Sequence, residues 1–146
     1  MTPLYQEMHR WMSAPFIWGE MDCMTCLADW VLRVRGVDPA AHIRLTYDSA
    51  ASCQRQTGFM TAPVQAVERC LATIGGLPRV PEPNAGDVAV ILARSVGARS
   101  TPCGAIWLGE AWGCKGPTGA TTLNQRLVTV VSDSTGPAIW GVGYAA

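Results

Sequence analysis

The chain has 146 residues, enough for one domain and too few for two separate hydrophobic cores. Its composition, 49% hydrophobic and only 15% charged, excludes a disordered chain, a coiled coil and a collagen. Eleven basic residues balance eleven acidic ones, so no basic field is present to hold nucleic acid through its phosphates. No apolar stretch approaches the roughly 18 residues of a membrane span. We therefore expect neither a nucleic-acid partner nor a membrane span.

The first half of the chain has the patterns of helices. Thr2 is placed to cap a short first helix. Asp22 is a good N-cap for a second helix, which Gly36 is placed to end. Weaker patterns predict two further helices, over residues 48–56 and 61–74.

The second half has the patterns of strands. Residues 77–86 (LPRVPEPNAG) contain three prolines and cannot continue a helix, so they predict a connector between the two halves. Beyond it, short β-rich runs separated by Gly and Pro predict an antiparallel sheet of about five strands. The predicted strands are 87–92, 104–109, 111–115, 127–132 and 138–144.

Helices that precede strands predict an α+β fold rather than alternating βαβ units. We expect one domain, 1–146, with a helical half (1–76), the connector and a β half (87–146). The second helix should pack on the sheet through Leu27, Val31 and Val34. The strand residues expected to face it are Val88, Val90, Ile106 and Val130.

Cys23 is the most suggestive residue for chemistry. It follows the predicted N-cap Asp22 and so falls in the first turn of the second helix. Free amides and the positive end of the helix dipole lower a thiol pKa there, which favours the thiolate of a nucleophilic cysteine. The alternative is that Cys23 is a small buried hydrophobic residue and that Asp22 only caps the helix.

Three short motifs resemble segments of one enzyme family. Residues 15–23 (PFIWGEMDC), followed by a helix, resemble the nucleophile segment of the NlpC-like cell-wall cysteine peptidases, where an aromatic–glycine turn leads through Asp-Cys into a helix. Residues 86–90 (GDVAV) resemble the Gly-Asp that opens the first central strand of that family. Residues 104–109 (GAIWLG) resemble its next strand and turn. The resemblance extends to a divergent branch encoded among the tail-tip genes of tailed phages and gene-transfer agents.

The resemblance implies a papain-like fold with Cys23 at the nucleophile position. It also implies a virion protein of the tail tip, made in the host bacterial cytoplasm. The implied partners are other tail-tip or hub proteins of the same particle, with peptidoglycan as the substrate of active members.

The catalytic histidine of that family has no counterpart here. In the family it lies at the start of the strand that corresponds to residues 104–109, where this chain has Thr-Pro-Cys at 101–103. Neither proline nor cysteine replaces an imidazole as a base near neutral pH. The chain has two histidines, His9 and His42, and neither matches the family position. A rearranged pair, with His42 as the base for Cys23, stays open as an alternative.

Cys23 and Cys26 form a C-x-x-C pair. A redox role would need a thioredoxin-like βαβ context, which the predicted elements lack. A metal site would need two further ligands, for which Cys103, Cys114 and His42 are candidates. We expect no cofactor, and a metal- or redox-linked module is the weakest of the hypotheses.

Tryptophans make up six of the eleven aromatic residues, and tryptophan is favoured in cores and at protein interfaces. Trp112 is the best candidate for exposure to a partner.

The sequence leads to two main hypotheses for function. The first is a structural adaptor of a phage-type tail tip, with a degenerate NlpC-like fold. The second is an active cysteine hydrolase that cleaves peptidoglycan peptides during cell entry.

Overall fold

The computed structural model describes residues 1–93, 101–116 and 119–145, and has four helices followed by strands. The helices are α1 (Pro3–Ser13), α2 (Thr25–Arg35), α3 (Ala50–Thr57) and α4 (Pro63–Ala72). The strands are β1 (Val88–Ala93), β2 (Pro102–Trp107), β3 (Trp112–Gly116), β4 (Gly119–Leu123), β5 (Val128–Val130), β6 (Ser132–Asp133), β7 (Gly136–Pro137) and β8 (Ile139–Trp140). A 3-10 helix, Gln125–Leu127, precedes β5. The α+β class predicted from the sequence is confirmed.

Six strands form one antiparallel sheet in the order β4-β3-β2-β1-β5, and β8 pairs with the first part of β1. The remaining strands, β6 and β7, form a separate two-stranded ribbon. Strand β1 is therefore central, with β2 along one edge and β5 and β8 sharing the other.

The two faces of the sheet build two hydrophobic clusters. Because successive side chains of a strand point to opposite faces, Val88 and Val90 pack against the helices. Ala89 and Ile91 belong to the cluster on the opposite face. Among the described residues, the helices pack on the first of these faces. None of the described helices is both long and apolar enough to cross a membrane.

Helix α2 packs on the sheet through the residues predicted for it. Leu27 and Val31 are buried in the cluster on the helix-facing side, and Val34 is partly buried against it. Val130 is the exception, since it lies with the cluster on the opposite face. Its predicted contact with α2 is wrong because Val130 pairs with Ile91, whose side chain points away from the helices.

Helix α2 begins two residues later than predicted, at Thr25 instead of Cys23. The carbonyl of Cys23 accepts a hydrogen bond from the N–H of Gly104 in β2, at 2.8 Å. The Cys23 carbonyl therefore does not accept from the N–H of Leu27, which donates to the carbonyl of Met24 instead, at 3.2 Å. The first bond of the predicted helix, from the N–H of Cys26 to the carbonyl of Asp22, is present at 3.1 Å, and the contact with the sheet replaces the second.

Other helix ends follow their predicted caps. The Thr2 hydroxyl accepts a hydrogen bond from the N–H of Tyr5, and Pro3 opens α1. Gly36 ends α2 with a φ of +78°, the left-handed conformation in which glycine carries no steric penalty.

The β half departs most from the prediction. Strand β4 is missed by the sequence pattern because its residues, Gly-Ala-Thr-Thr-Leu, follow a Gly-Pro-Thr run that indicates a loop. The predicted strand 127–132 is divided between β5 and the ribbon. The predicted strand 138–144 ends at Trp140, because the N–H of Val142 donates to the Asp87 carboxylate instead of to a neighbouring strand.

Candidate functional site

The turn before α2 is organised around the carboxylate of Asp22, which is fully buried. Its Oδ1 accepts hydrogen bonds from the N–H groups of Met24 and Thr25, at 2.9 and 2.8 Å. Its Oδ2 accepts from the N–H of Gly19 at 2.9 Å and from the Tyr47 hydroxyl at 2.7 Å. Four donors satisfy this carboxylate. Asp22 binds the first amides of α2 as a cap would, but the N-cap residue of α2 is Met24 and not Asp22 as predicted.

Gly19 allows the chain to close around Asp22. Its φ is +84°, and a Cβ at this position would lie 2.3 Å from the carbonyl oxygen of Tyr47. The Gly19 carbonyl accepts a hydrogen bond from the N–H of Leu45 at 3.1 Å. Only glycine fits both the positive φ and the close approach to Tyr47. The hydrogen bond from Leu45 ties the turn to the 40–47 loop.

The Cys23 thiol is not activated. Its residue is only 7% exposed, and within the described parts of the chain the thiol makes no side-chain hydrogen bond. Burial, and next the negative charge of Asp22, raise the pKa of Cys23 far above the usual range of a thiol. The expectation of a lowered pKa is wrong, and the alternative interpretation of Cys23 as a small buried residue agrees with the structure. Burial and Asp22 outweigh the hydrogen bond of the Cys23 amide, which by itself lowers the pKa.

Cys103 lies in the segment that the resemblance aligns with the family's histidine, and its thiol is protonated. Residues 101–103 lead into β2, and the Cys103 thiol donates to the carbonyls of Lys115 at 3.2 Å and Gly104 at 3.4 Å. Hydrogen bonding with the Cys114 thiol, followed by burial, raises the pKa of Cys103 well above its ordinary value. The same hydrogen bond lowers the pKa of Cys114. Cys103 is therefore a hydrogen-bond donor and not a base for Cys23.

The structure does not pair His42 with Cys23. His42 is exposed in the loop after α2, where it lines a cavity of about 200 Å³ together with Met24. His9 is exposed on α1. Among the described residues, neither imidazole forms a hydrogen bond with Cys23.

The C-x-x-C pair gains no metal-binding partners. Cys23 and Cys26 are both buried as free thiols, and burial raises the pKa of Cys26 well above its ordinary value. In the portions 1–93, 101–116 and 119–145, no three His, Cys, Asp or Glu side chains are placed to ligate one ion. The candidate ligands Cys103, Cys114 and His42 thus do not complete a site with the pair.

Trp112 is buried, and the expectation that it is exposed is wrong. Only 2% of the residue is exposed, because it lies on the face of β3 that packs against Trp107, with ring centroids 4.9 Å apart in an edge-to-face arrangement. Both rings line a cavity of about 550 Å³, which Glu82 and Gln125 border. Any contribution of Trp112 to binding would be through this cavity and not through an exposed surface.

Sequence patterns missed Tyr47, which holds Asp22, and Lys115, which joins β3 to the end of α1. Tyr47 donates to Asp22, and burial raises the pKa of Tyr47 so that the hydroxyl keeps this proton. Lys115, the one lysine of the chain, is buried and its Nζ donates to the carbonyls of Trp11 and Ala14 at the end of α1. The alternation of β3 could have placed Lys115 on the helix-facing side, but its acceptors could not be read from the sequence.

Comparison with known proteins gives one match. The model of a family described as a domain of unknown function, DUF6950, matches residues 2–131. The matched region contains the four helices, the Asp22 turn and the sheet as far as β5. Searches of curated proteins and of solved structures give no match.

Proposed function

The chain belongs to the DUF6950 family, and we propose that it is a structural adaptor protein in the tail tip of a phage or phage-like particle. In this proposal its fold is a degenerate form of the NlpC-like, papain-like fold and has lost hydrolytic activity.

The observation that carries the proposal is the state of Cys23. Hydrolysis by a cysteine needs a thiolate and a base within about 3 Å of it. Burial and the charge of Asp22 keep Cys23 protonated. Cys103, in the 101–103 segment where the resemblance places the family's histidine, donates hydrogen bonds to backbone carbonyls. In this proposal the nucleophile position and the base position both hold protonated thiols, Cys23 and Cys103.

The two amides that follow Cys23 in the chain are also engaged. Acyl transfer needs N–H donors that point at the developing oxyanion, and such donors often come from the start of a helix. The N–H groups of Met24 and Thr25, the two residues after Cys23, both donate to Asp22. Neither is free to stabilise an oxyanion at the Cys23 thiol, which supports a loss of hydrolysis.

The positions of the three family-like motifs support an NlpC-like origin. The segment that ends in Cys23 contacts β2 through the hydrogen bond from Gly104. The Gly-Asp motif precedes β1, and the carbonyl of Asp87 accepts a 2.8 Å hydrogen bond from the N–H of Trp107 at the end of β2. The first two motifs therefore each contact the strand that carries the third, which supports the proposed origin.

An adaptor also needs a surface that a partner can cover. Leu45 is 73% exposed and has a φ of +63°, a conformation that is costly for a leucine. It is joined through Gly19 to the 16–18 turn, where Ile17 is 43% exposed. The zero net charge gives little opposition to association. We take the 16–18 turn and Leu45 as the contact surface for a neighbouring tail-tip protein.

Localisation in particles tests the adaptor role. A tagged chain, produced in cells that assemble the particle, should be found by mass spectrometry in purified particles and by gold labelling at the tail tip. Leu45→Asp should prevent incorporation while the purified protein still folds. Leu127→Asp is the matched control, because Leu127 is an equally apolar exposed residue before β5. Absence of the wild-type chain from particles would overturn the proposal.

A cleavage assay tests the alternative of an active hydrolase. Wild-type protein and Cys23→Ala are incubated with peptidoglycan stem peptides, and the products are measured by mass spectrometry. We expect no cleavage above the buffer blank with either protein. Cleavage by the wild type that is absent in Cys23→Ala would establish the hydrolase and contradict the loss of activity proposed here.

A further inference from the structure

A cavity of about 200 Å³ lies between the loop after α2 and helices α3 and α4. His42, Gln56, Thr57 and Arg69 supply its polar wall, and Met24 and Ile43 supply apolar surface. We infer that this cavity binds a small organic carboxylate, with Arg69 as the main anchor. The site is separate from the proposed adaptor role.

Arg69 is held in position with most of its donors unused. Its Nη2 donates to the carbonyl of Thr57 at 2.6 Å, which fixes the guanidinium beside the cavity. An arginine has five N–H donors in a rigid plane, so one bond to a carbonyl leaves the others for a ligand. No Asp or Glu of the described residues lies within salt-bridge distance of Arg69, whereas Arg44 and Arg79 each pair with acids.

The charges around the cavity favour an anion. Asp38, on the same loop as His42, accepts hydrogen bonds from Arg44 at 2.8 and 3.1 Å. These hydrogen bonds lower the pKa of Asp38, and its charge is compensated by Arg44 and not by Arg69. The Cys70 thiol in the wall adds no charge at neutral pH, because burial raises its pKa to about 11.

The shape and lining select a carboxylate with a short hydrocarbon part. A planar carboxylate matches the guanidinium fork, and Met24 and Ile43 offer an apolar surface that a bare inorganic anion would not use. Such a carboxylate occurs on free small acids and at peptide C-termini. Both sources share the chemistry that Arg69 would recognise.

Titration by NMR with the intact protein tests the site. The probes are isovalerate, its neutral analogue isovaleramide, inorganic phosphate, and N-acetyl-leucine as a mimic of a peptide C-terminus. We expect isovalerate to shift the signals of cavity residues with a dissociation constant of about 1–10 mM. The amide and phosphate should bind at least about tenfold more weakly. Tighter binding of N-acetyl-leucine than of isovalerate would identify a peptide as the source, and the reverse order would identify a free acid.

Two variants assign the binding to this cavity. Arg69→Gln should weaken isovalerate at least about tenfold, and Arg69→Lys should weaken it less because it keeps the charge but loses the planar fork. Arg55→Gln on the neighbouring α3 is the control, since Arg55 does not line the cavity.

The proposal is overturned if isovalerate shifts no cavity signals in the wild type. Equal affinity for isovaleramide would also overturn it, as would equal affinity of the wild type and Arg69→Gln. If Arg69→Gln fails to fold, Arg69→Lys decides the question, because equal affinity of Arg69→Lys and the wild type for isovalerate would also overturn the proposal.

Discussion

The carbonyl oxygen of Cys23 and the N–H of Gly104 form a 2.8 Å hydrogen bond that joins the turn before α2 to strand β2. Glycine permits this approach, because a Cβ at position 104 would lie 2.3 Å from that carbonyl oxygen and 2.6 Å from Cγ of Leu27. The bond also diverts the Cys23 carbonyl from the helical pattern. One contact therefore sets both the start of α2 and the distance between helix and sheet.

Replacement of Gly104 tests this contact. Gly104→Ala places a methyl group against backbone as well as side-chain atoms, so the helix and the sheet must move apart. We expect the free energy of unfolding to fall by about 1–3 kcal/mol, measured by urea denaturation. Gly116→Ala in β3 is the matched control, since a Cβ there meets nothing within 4 Å. Equal stability of the two variants would contradict the role given to Gly104.

The hydroxyl of Tyr47 tests the Asp22 turn. Tyr47→Phe removes one of the donors to a buried carboxylate without changing the shape of the ring. Hydrogen bonds to charged groups contribute about 1.5–3 kcal/mol, and we expect a loss of that size in chemical denaturation. Tyr5→Phe removes a hydroxyl from an exposed tyrosine on α1 and should change stability by less than about 0.5 kcal/mol. A similar loss in both variants would show that the Asp22 contact adds nothing.

Local patterns predict the parts of the fold that depend on neighbours in sequence. The spacing of Leu27 and Val31 predicts the buried face of α2, and the cap at Gly36 predicts its end, because both depend on a helical repeat of 3.6 residues. The start of α2 cannot be predicted in this way. It depends on Gly104, which lies about 80 residues further along the chain and reaches Cys23 only in the folded protein.

The candidate site shows the same division. The sequence singles out Asp22 and Cys23, but the pKa of Cys23 depends on burial and on where the amides of α2 donate, which only the tertiary structure shows. Trp112 is misassigned for a related reason. Nearby polar and glycine residues suggest exposure, while pairing of β3 with β2 places its ring against Trp107.

The effect of pH on stability tests the state of the Cys23 thiol. Burial and Asp22 raise its pKa above the ordinary value of 9.0, so at higher pH the unfolded chain loses a proton that the folded chain keeps. The contribution of Cys23 is therefore complete below pH 9 and falls above it, by up to about 1.4 kcal/mol per pH unit. We expect the stability difference between the wild type and Cys23→Ala to shrink in urea denaturation between about pH 8 and pH 10.5.

Val31→Ala is the control for this measurement, because it alters a buried neighbour on α2 that has no ionisable group. Its difference from the wild type should stay constant with pH. A thiolate in the folded protein would give the opposite sign, with the contribution of Cys23 increasing with pH below 9, and would remove the main support for the adaptor role.

Chemical labelling tests the burial of Lys115. The residue is 1% exposed, and burial lowers the pKa of Lys115, which by itself would speed reaction of its amine. Slow labelling in the native state would therefore report lack of access and not protonation. We expect an amine-reactive ester to modify Lys115 at least about tenfold more slowly in native protein than in urea, by mass spectrometry. Thr121→Lys adds an exposed lysine on β4 as an internal reference, and equal rates for both lysines would contradict the burial.

Leu45 provides the last test, because its conformation works against stability. A leucine at a φ of +63° costs roughly 1–2 kcal/mol relative to a relaxed backbone, and glycine avoids this cost but gains chain entropy when unfolded. We expect Leu45→Gly to be more stable than Leu45→Ala by about 0.5–1 kcal/mol in urea denaturation, since alanine keeps the strain. If glycine stabilises the isolated protein while reducing its incorporation into particles, the strained leucine serves contact with a partner. If alanine and glycine are equally stable, position 45 carries no strain, and that reason for placing the contact surface there is lost.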